Sequence, residues 1–458
     1  MMNKIIVAFA TLLSGCSLDP QLTTPALPVP SVYGQSNSDA RASDLSWREM
    51  FADKQLQDAI DLALVNNRDM RIAVLNAETV RAQYRIERAS RLPAIDTSGS
   101  WSRQRFSEGT NSGEPGMQNQ GAAGVNLSAY EIDLFGRVKS LSEAAYARYL
   151  ASEAGTRSAR ISLITSVSEA WYRRSLAMEQ IQLSQQTLTD WQASLNLARQ
   201  LKAADQTSQL DVVQAEGQVA TAEADVEANK RSLQIASNAL RLMMGTDAPL
   251  PQVQQSLEEA LINVRLDAGL PSELLTRRPD IILAEQNLIA ANADIGAARA
   301  AFFPRISLTA SYGQASPQLS QLFDSGNRTW QFTPQISIPI FQGGRLKAEL
   351  DIARIRKNSA IAEYEKSIQV AFSEISDGLA GKTTYRQQMS AQKRVVASAQ
   401  QRVFLSSQRY EAGLDSRLEV LDSQRQYYSA RQILLTLRLE EITNAINLYK
   451  SLGGESVL

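Results

Sequence analysis

Two places in the chain carry residues whose types and spacing could do chemistry. The first is Cys16, the only cysteine, in MMNKIIVAFATLLSGCS. Lys4, an apolar run from Ile5 to Leu13 and the tetrapeptide Leu13-Ser14-Gly15-Cys16 have the form of an export signal ending in a bacterial lipobox. There the thiol is diacylated before cleavage and the new amino group is acylated afterwards, which leaves a lipid anchor and no free thiol. Two or more acyl chains hold a protein at a bilayer stably where one does not. Ser17 follows the cysteine in place of the aspartate that would favour inner-membrane retention. The bland alternative is a buried cysteine beside an ordinary cleaved signal.

The second place is YEAGLDSRLEVLD, Tyr410 to Asp422, where Gly413 interrupts a very long helical pattern. The helix restarts with carboxylates at Glu419 and Asp422, three residues apart and therefore on one face. On pattern alone these two groups are a solvated helix face. ADQTSQLDVVQAE, Ala204 to Glu216, repeats the device with Asp211.

Composition removes other chemistries. The chain has no histidine, so Ser-His-Asp triads, HExxH zinc sites and histidine bases are excluded. Its 47 basic and 48 acidic residues give a formal charge of −1, which offers no nucleic-acid surface. No Walker A sequence is present. Met243 and Met244 end a helical seam, where core packing outweighs metal binding. Scattered Asp and Glu pairs define no substrate pocket, so a carboxylate hydrolase is a remote reading.

The elements that position these residues fall into two halves. RLPAIDTSGSWSRQRF, then GVNLSAYEIDLFGR, lead to a long helical run from Val138. FFPRISLTASYG, then WQFTPQISIPIFQGGR, lead to another from Leu346. Pro93 answers Pro304, and LDVVQAE at Leu210 answers LEVLDSQ at Leu418, so the chain reads as a duplication. The strand candidates alternate, with Ile306, Leu308, Ala310 and Tyr312 on one face and Ser307, Thr309 and Ser311 on the other. Trp330, Phe332, Ile336, Ile338 and Ile340 continue that pattern. Four strands cannot close a membrane barrel, which needs about eight. Either they form a soluble sheet or several chains pool them.

Heptad seams run through Ile181, Leu188, Trp191, Leu195 and Ala198, and through Val212, Ala215, Val219, Ala222, Val226, Leu233, Leu240 and Met243. In the second half Ile361, Ile368, Ile375, Leu418, Leu421, Leu435, Leu439, Ile442 and Ile446 do the same, favouring left-handed supercoiling. A helix from Val138 to Lys202 would span on the order of 95 Å. The reading is a signal over 1–15, an extended Pro/Ser/Thr-rich tether over 16–45, a first repeat over 46–245, a linker and helix over 246–301, and a second repeat over 302–458. The first repeat opens with one helix, Trp47 to Arg88, followed by a strand pair at 94–136 and helices at 138–202 and 208–244. The second has a strand pair at 305–342 and helices at 346–411 and 416–450.

Gly269 to Leu308, GLPSELLTRRPDIILAEQNLIAANADIGAARAAFFPRISL, closely resembles the mid-chain segment of the TolC-like outer-membrane factors of tripartite efflux pumps. SWREMFADKQL, VNNRDMRIA, AQYRIERASRLP, YEIDLFGR, NLYKSLGG and the lipobox extend the likeness nearly end to end, nearest to the lipid-anchored OprM- and CusC-like branch. The resemblance implies a homotrimer. Three chains would pool their strands into one twelve-stranded outer-membrane β-barrel, continued by a periplasmic α-helical coiled-coil tunnel with a belt around its middle.

On the same resemblance the protein is no enzyme and takes no cofactor beyond the lipid on Cys16. Its partners would be a periplasmic adaptor, a proton-driven inner-membrane pump of the RND type and outer-membrane lipid. The helix–helix turns would form the periplasmic entrance, with Glu419, Asp422, Asp211 and Tyr410 at the gate. Gly413, Asp415, Ser416, Arg417, Ala203, Ala204 and Ser208 would meet the adaptor or pump. Rings of like charge from three chains resist close packing and select cations, with Arg417 near enough to partner them. Asp415 stands where TolC carries a gate arginine, so the locking bonds of that branch do not transfer. A duct for type I protein secretion and a lipid-anchored helical scaffold without a lumen are the alternatives.

Overall fold

The computed structural model describes residues 18–22, 28–30, 45–106, 116–253, 256–260, 262 and 277–454. Cys16 and the signal, most of the tether, the loop 107–115 and much of the linker lie outside the described residues. The elements are α1 (Trp47–Met50), α2 (Lys54–Asn66), α3 (Arg68–Ala89), β1 (Ile95–Phe106), β2 (Gly116–Ile132), α4 (Arg137–Ala203) and α5 (Gln209–Met244). They continue as α6 (Pro279–Ala300), β3 (Arg305–Ser316), β4 (Arg328–Ser337), α7 (Arg345–Glu411) and α8 (Arg417–Ser451). Strand-strand-helix-helix therefore occurs twice, and α4 and α7 are each 67 residues long.

One compact unit gathers the Leu18–Leu22 segment with Asn76–Glu153 and Leu283–Glu365. Its strands form one antiparallel sheet in the order β1-β2-β3-β4, which leaves β1 and β4 as edges. Register sorts the side chains by face. Ile306 lies opposite Ile336, Leu308 opposite Pro334, Ala310 opposite Phe332 and Tyr312 opposite Trp330. The same apolar row continues across β2 through Ile132, Tyr130, Leu127 and Val125. The other face carries Asp96, Asn126, Ser311 and Gln331 in one row, with Ser307 opposite Gln335. A soluble sheet would bury the apolar face, yet Trp330 is 76% and Tyr312 61% exposed. A slip of one residue would exchange the faces, so pairing is strongly specified.

The strands are shorter than their sequence pattern. β4 stops at Ser337, and Ile338 and Ile340 fall outside it; the next pairing would set Ile338 against Pro304, which has no N–H to donate. β2 stops at Ile132; Gly136 turns at φ +75 and Arg137 begins α4. Glu131 joins the two halves there, accepting from Arg137 and Arg305 at 2.6 Å each, while Phe135 stacks on Phe303 at 4.8 Å.

The other compact unit takes in Trp47–Leu75, Ala154–Ile282 and Lys366–Leu458, within the described residues. The single helix expected over Trp47 to Arg88 is three. Asp53 caps the second by accepting from Gln55 N at 2.9 Å. Asn67, extended at ψ 131, caps the third through Met70 N and donates to the Met243 carbonyl at 2.9 Å. Polar capping thus breaks what apolar spacing alone would continue.

The seams also shift. Met244, not Met243, is fully buried, and Leu418 is 58% exposed while Val420 and Leu421 face the core. Among the described residues no helix is long and apolar enough to cross a membrane.

Candidate functional site: the two helix–helix turns

Both turns use one backbone device. In the first, Gln206 N donates to the Leu201 carbonyl and Asp205 N to that of Lys202, with Asp205 left-handed at φ +52. In the second, Leu414 N donates to the Arg409 carbonyl and Gly413 N to that of Tyr410, with Gly413 at φ +72. These are paired Schellman endings. A serine N-cap follows three residues after each left-handed residue, Ser208 opening α5 and Ser416 opening α8. Asp211 and Glu419 therefore occupy the same helical position in the two turns.

Their side chains do different work. Asp211 closes a capping box with Ser208 and also accepts from Thr207 Oγ1 at 2.6 Å. The Thr207 and Ser208 hydroxyls hold its carboxyl below the ordinary Asp value. A depressed carboxylate contributes fully above its unfolded pKa of about 4, and its contribution is lost as pH falls through the lower folded value. The α5 start accordingly keeps its cap at neutral pH and loses it only in strong acid. Ser416 makes no side-chain cap, which leaves Glu419 to face the neighbouring helix. Ser208→Ala should cost about 1 kcal/mol at the α5 start, while Ser416→Ala is close to neutral. Amide exchange at 209–212 against 417–420 checks this.

The acidic pair is not bare. Arg402, on the other arm of the hairpin, lies 2.8 Å from Glu419 and 3.6 Å from Asp422. Arg425 pairs with Asp422 at 2.5 Å, and Gln426 donates to it at 2.7 Å. Each chain thus balances two acids with two arginines, and the arginines that pair with Glu419 and Asp422 are Arg402 and Arg425 in place of the expected Arg417. Asp415 is held by Arg409 at 2.7 Å, and that hydrogen bond lowers its pKa.

Arg417 pairs with neither Glu419 nor Asp422 and is no exposed tip, although its charge acts on Asp211. It is 6% exposed, donates to the Ser194 carbonyl at 3.1 Å and stacks on Tyr410 with its guanidinium 5.2 Å from the ring centre. Burial lowers its pKa, and its Nε has no hydrogen-bond partner. This buried cation ties the start of α8 to α4. Gln218 donating to the Leu421 carbonyl at 2.9 Å and the Trp191–Tyr428 edge contact at 5.8 Å make the other links. A core of Leu183, Trp191, Leu195, Ala198, Val212, Ala215, Val219 and Ala222 lies behind them.

The structure therefore brings Tyr410, Arg417, Glu419 and Asp422 around one hairpin end and leaves Ala203, Ala204, Ser208, Gly413 and Ser416 exposed there. Arg402 escaped sequence reading because it lies seventeen residues before Glu419, beyond any helical spacing. Leu210 and Leu418, at matching places in the two turns, are 64% and 58% exposed. Among the described residues no group of three His, Cys, Asp or Glu could hold a metal ion.

The family model of outer membrane efflux proteins matches residues 59–246 and 270–454. The chain belongs to that family. It is an outer-membrane efflux channel, a passive duct and not an enzyme. The probable efflux pump outer membrane protein TtgC of Pseudomonas putida is 44% identical over 462 residues, covering 99% of this chain and 95% of that one. The cation efflux system protein CusC of Escherichia coli strain K12 is 41% identical over 452 residues, covering 97% of each. The open state of the MtrE outer membrane channel of Neisseria gonorrhoeae superposes with a TM-score of 0.88 at 37% identity, covering 96% of this chain and 98% of that one. These relatives are efflux proteins, which favours efflux over a protein-secretion duct or a lumenless scaffold.

Proposed function

We propose that three copies of this chain form the exit duct of a tripartite efflux system, anchored in the outer membrane by lipid on Cys16 and reaching into the periplasm. The observation that carries this reading is the sheet, with one apolar face, one polar face and both exposed. Such a sheet is stable where lipid covers one side and water the other. Its edges β1 and β4 would pair between neighbouring chains, so that three sheets of four strands close without an edge. The helices would continue the barrel as a tunnel. The two turns would form the periplasmic entrance and meet a periplasmic adaptor and an inner-membrane pump of the RND type. The relatives' names span toluene, antibiotic and cation efflux, and this duct would carry small molecules that its pump selects.

At the entrance, Glu419 and Asp422 with Arg402 would form the constriction. Asp211 and Tyr410 would hold the backbone and Arg417 beneath it. Closing rings of carboxylates is tolerable because each chain brings its own arginines to the acids. Single-channel conductance in planar bilayers tests this. Wild type should conduct weakly, and Glu419→Ala/Asp422→Ala should raise conductance severalfold. A wild type that conducts freely and is unchanged by the substitutions would remove these residues as the constriction. Silence from both folded proteins would count against a lumen.

A further inference from the structure

The Leu18–Leu22 segment does not hang free. Asn292, Gly296 and Arg299 form one stripe of α6, spaced four and three residues apart as a helix face requires. Asn292 Nδ2 donates to the Pro20 carbonyl at 2.8 Å and Arg299 Nη1 to the Leu18 carbonyl at 3.1 Å. Between them, Asp19 Oδ1 accepts from Ser140 Oγ of α4 at 2.7 Å. A Cβ at position 296 would stand 1.5 Å from that carboxylate oxygen, so only glycine leaves room for it. The clamp is built from within. Ser140 is 1% and Asn292 8% exposed, and Lys357 Nζ holds the Asn292 oxygen at 2.8 Å. A surface that merely happened to lie near a tail would not commit buried polar groups and a glycine notch to it.

We propose that this notch is a docking site for the chain's own N-terminal segment, which fixes where the lipid on Cys16 enters the bilayer. The idea rests on the acylation of Cys16 in the function proposed above. Cys16 precedes Leu18 by two residues, which limits its Cα to about 7 Å from that of Leu18, with the acyl groups starting one side chain further. Arg299 lies in the last turn of α6, which hands the chain to β3 at Arg305. The anchor is thereby delivered beside the strand–helix junction. A free tether of the length read from sequence would let it wander roughly 30 Å. The docking corrects that reading for Leu18–Leu22 and gives Gly296 a purpose that helix propensity does not.

The test uses the full-length acylated chain in outer-membrane vesicles. Acylation consumes the Cys16 thiol, so Asp19→Cys/Gly296→Cys places just two free thiols in the protein. Asp19 Cγ lies 2.7 Å from the position-296 Cβ, close to the reach of a disulfide. Mild copper-phenanthroline oxidation should link them almost completely, read by mass spectrometry. Asp19→Cys/Gly326→Cys, with its second thiol in open surroundings, should not link. Two reactive but unlinked thiols at 19 and 296, together with wild-type lipid cross-links no more clustered than those of Gly296→Leu, would overturn the docking.

A diazirine-bearing fatty acid carried on Cys16 reads the lipid position directly. Its cross-links within the chain should cluster near 137–140 and 299–305 and should scatter in Gly296→Leu. Scatter in the wild type equal to that in Gly296→Leu would overturn the positioning of the anchor. Intact mass reports acylation separately. A chain that forms the disulfide but carries no acyl mass would refute the lipid reading and leave the docking site standing.

Discussion

Gly313→Val is expected to cut the yield of folded protein about tenfold or more, while Gly99→Ala leaves it unchanged. Gly313 lies opposite Gly124 where β2 pairs with β3. A Cβ at 313 would stand 2.3 Å from the Ala123 carbonyl oxygen and 2.7 Å from the Gly124 Cα. Both obstacles are backbone, so no rotamer relieves them, and the strands must part and lose ladder bonds. Such strain belongs to the short class of mechanisms with large destabilising effects. At Gly99 the nearest atom to an added Cβ is 4.0 Å away, ordinary contact. Purification of the three proteins side by side, with β-sheet content followed by circular dichroism, decides the matter. A fully folded Gly313→Val would mean that the close approach of β2 and β3 is not required. The consequence is functional, because this is the seam at which the two halves of the duplication join into one sheet.

Arg278→Ala should destabilise the helical unit by about 2 kcal/mol, the scale of lost charge-assisted hydrogen bonds whose carboxylate partners stay part-exposed. The guanidinium is 6% exposed and fully engaged. Its Nε and Nη2 fork onto Asp280 at 3.0 and 2.6 Å, while Nη1 reaches Glu374 at 2.7 Å and the Ser451 carbonyl at 3.0 Å. Burial alone would lower its pKa, but the hydrogen bonds and charges of Asp280 and then Glu374 outweigh this and raise it. Three segments meet at this one side chain, the start of α6, the body of α7 and the end of α8. The midpoint for loss of helical signal on heating should fall by roughly 5 °C. Lysine should restore only part of it, because a single ammonium cannot fork onto a carboxylate and also reach the other acceptors. Arg278→Ala/Glu374→Ala should cost less than the sum of its parts. An additive double variant would show that the two groups do not act as one network.

Arg278-Pro279-Asp280 lies inside the Gly269 to Leu308 segment that carries the family resemblance. Pro279 opens α6 at a position where a missing N–H costs nothing. Asp280 both pairs with Arg278 and accepts from Ile281 N at 3.0 Å. Its adjacent residues are local, yet Glu374 and Ser451 are 96 and 173 positions away from Arg278. No spacing rule reaches them.

What the amino-acid order determined by itself was periodic or local. Alternation in Ile306 to Tyr312 set which side chains share a face, because a strand has a period of two. Gly413 marked a turn because a left-handed residue there favours glycine. The order of elements along the two halves exposed the duplication, and the lipobox and the Gly269 to Leu308 segment pointed to the efflux family.

Tertiary structure decided what stands opposite each face. It placed Arg402 against Glu419 and Asp422, buried Arg417 beneath Tyr410, gave Asp211 to a cap, and set Asp19 into the space left by Gly296. The reason is physical. Periodicity is a property of one element and fixes the direction of a side chain. Partnership depends on how two elements are set against each other, and nothing within either one records it.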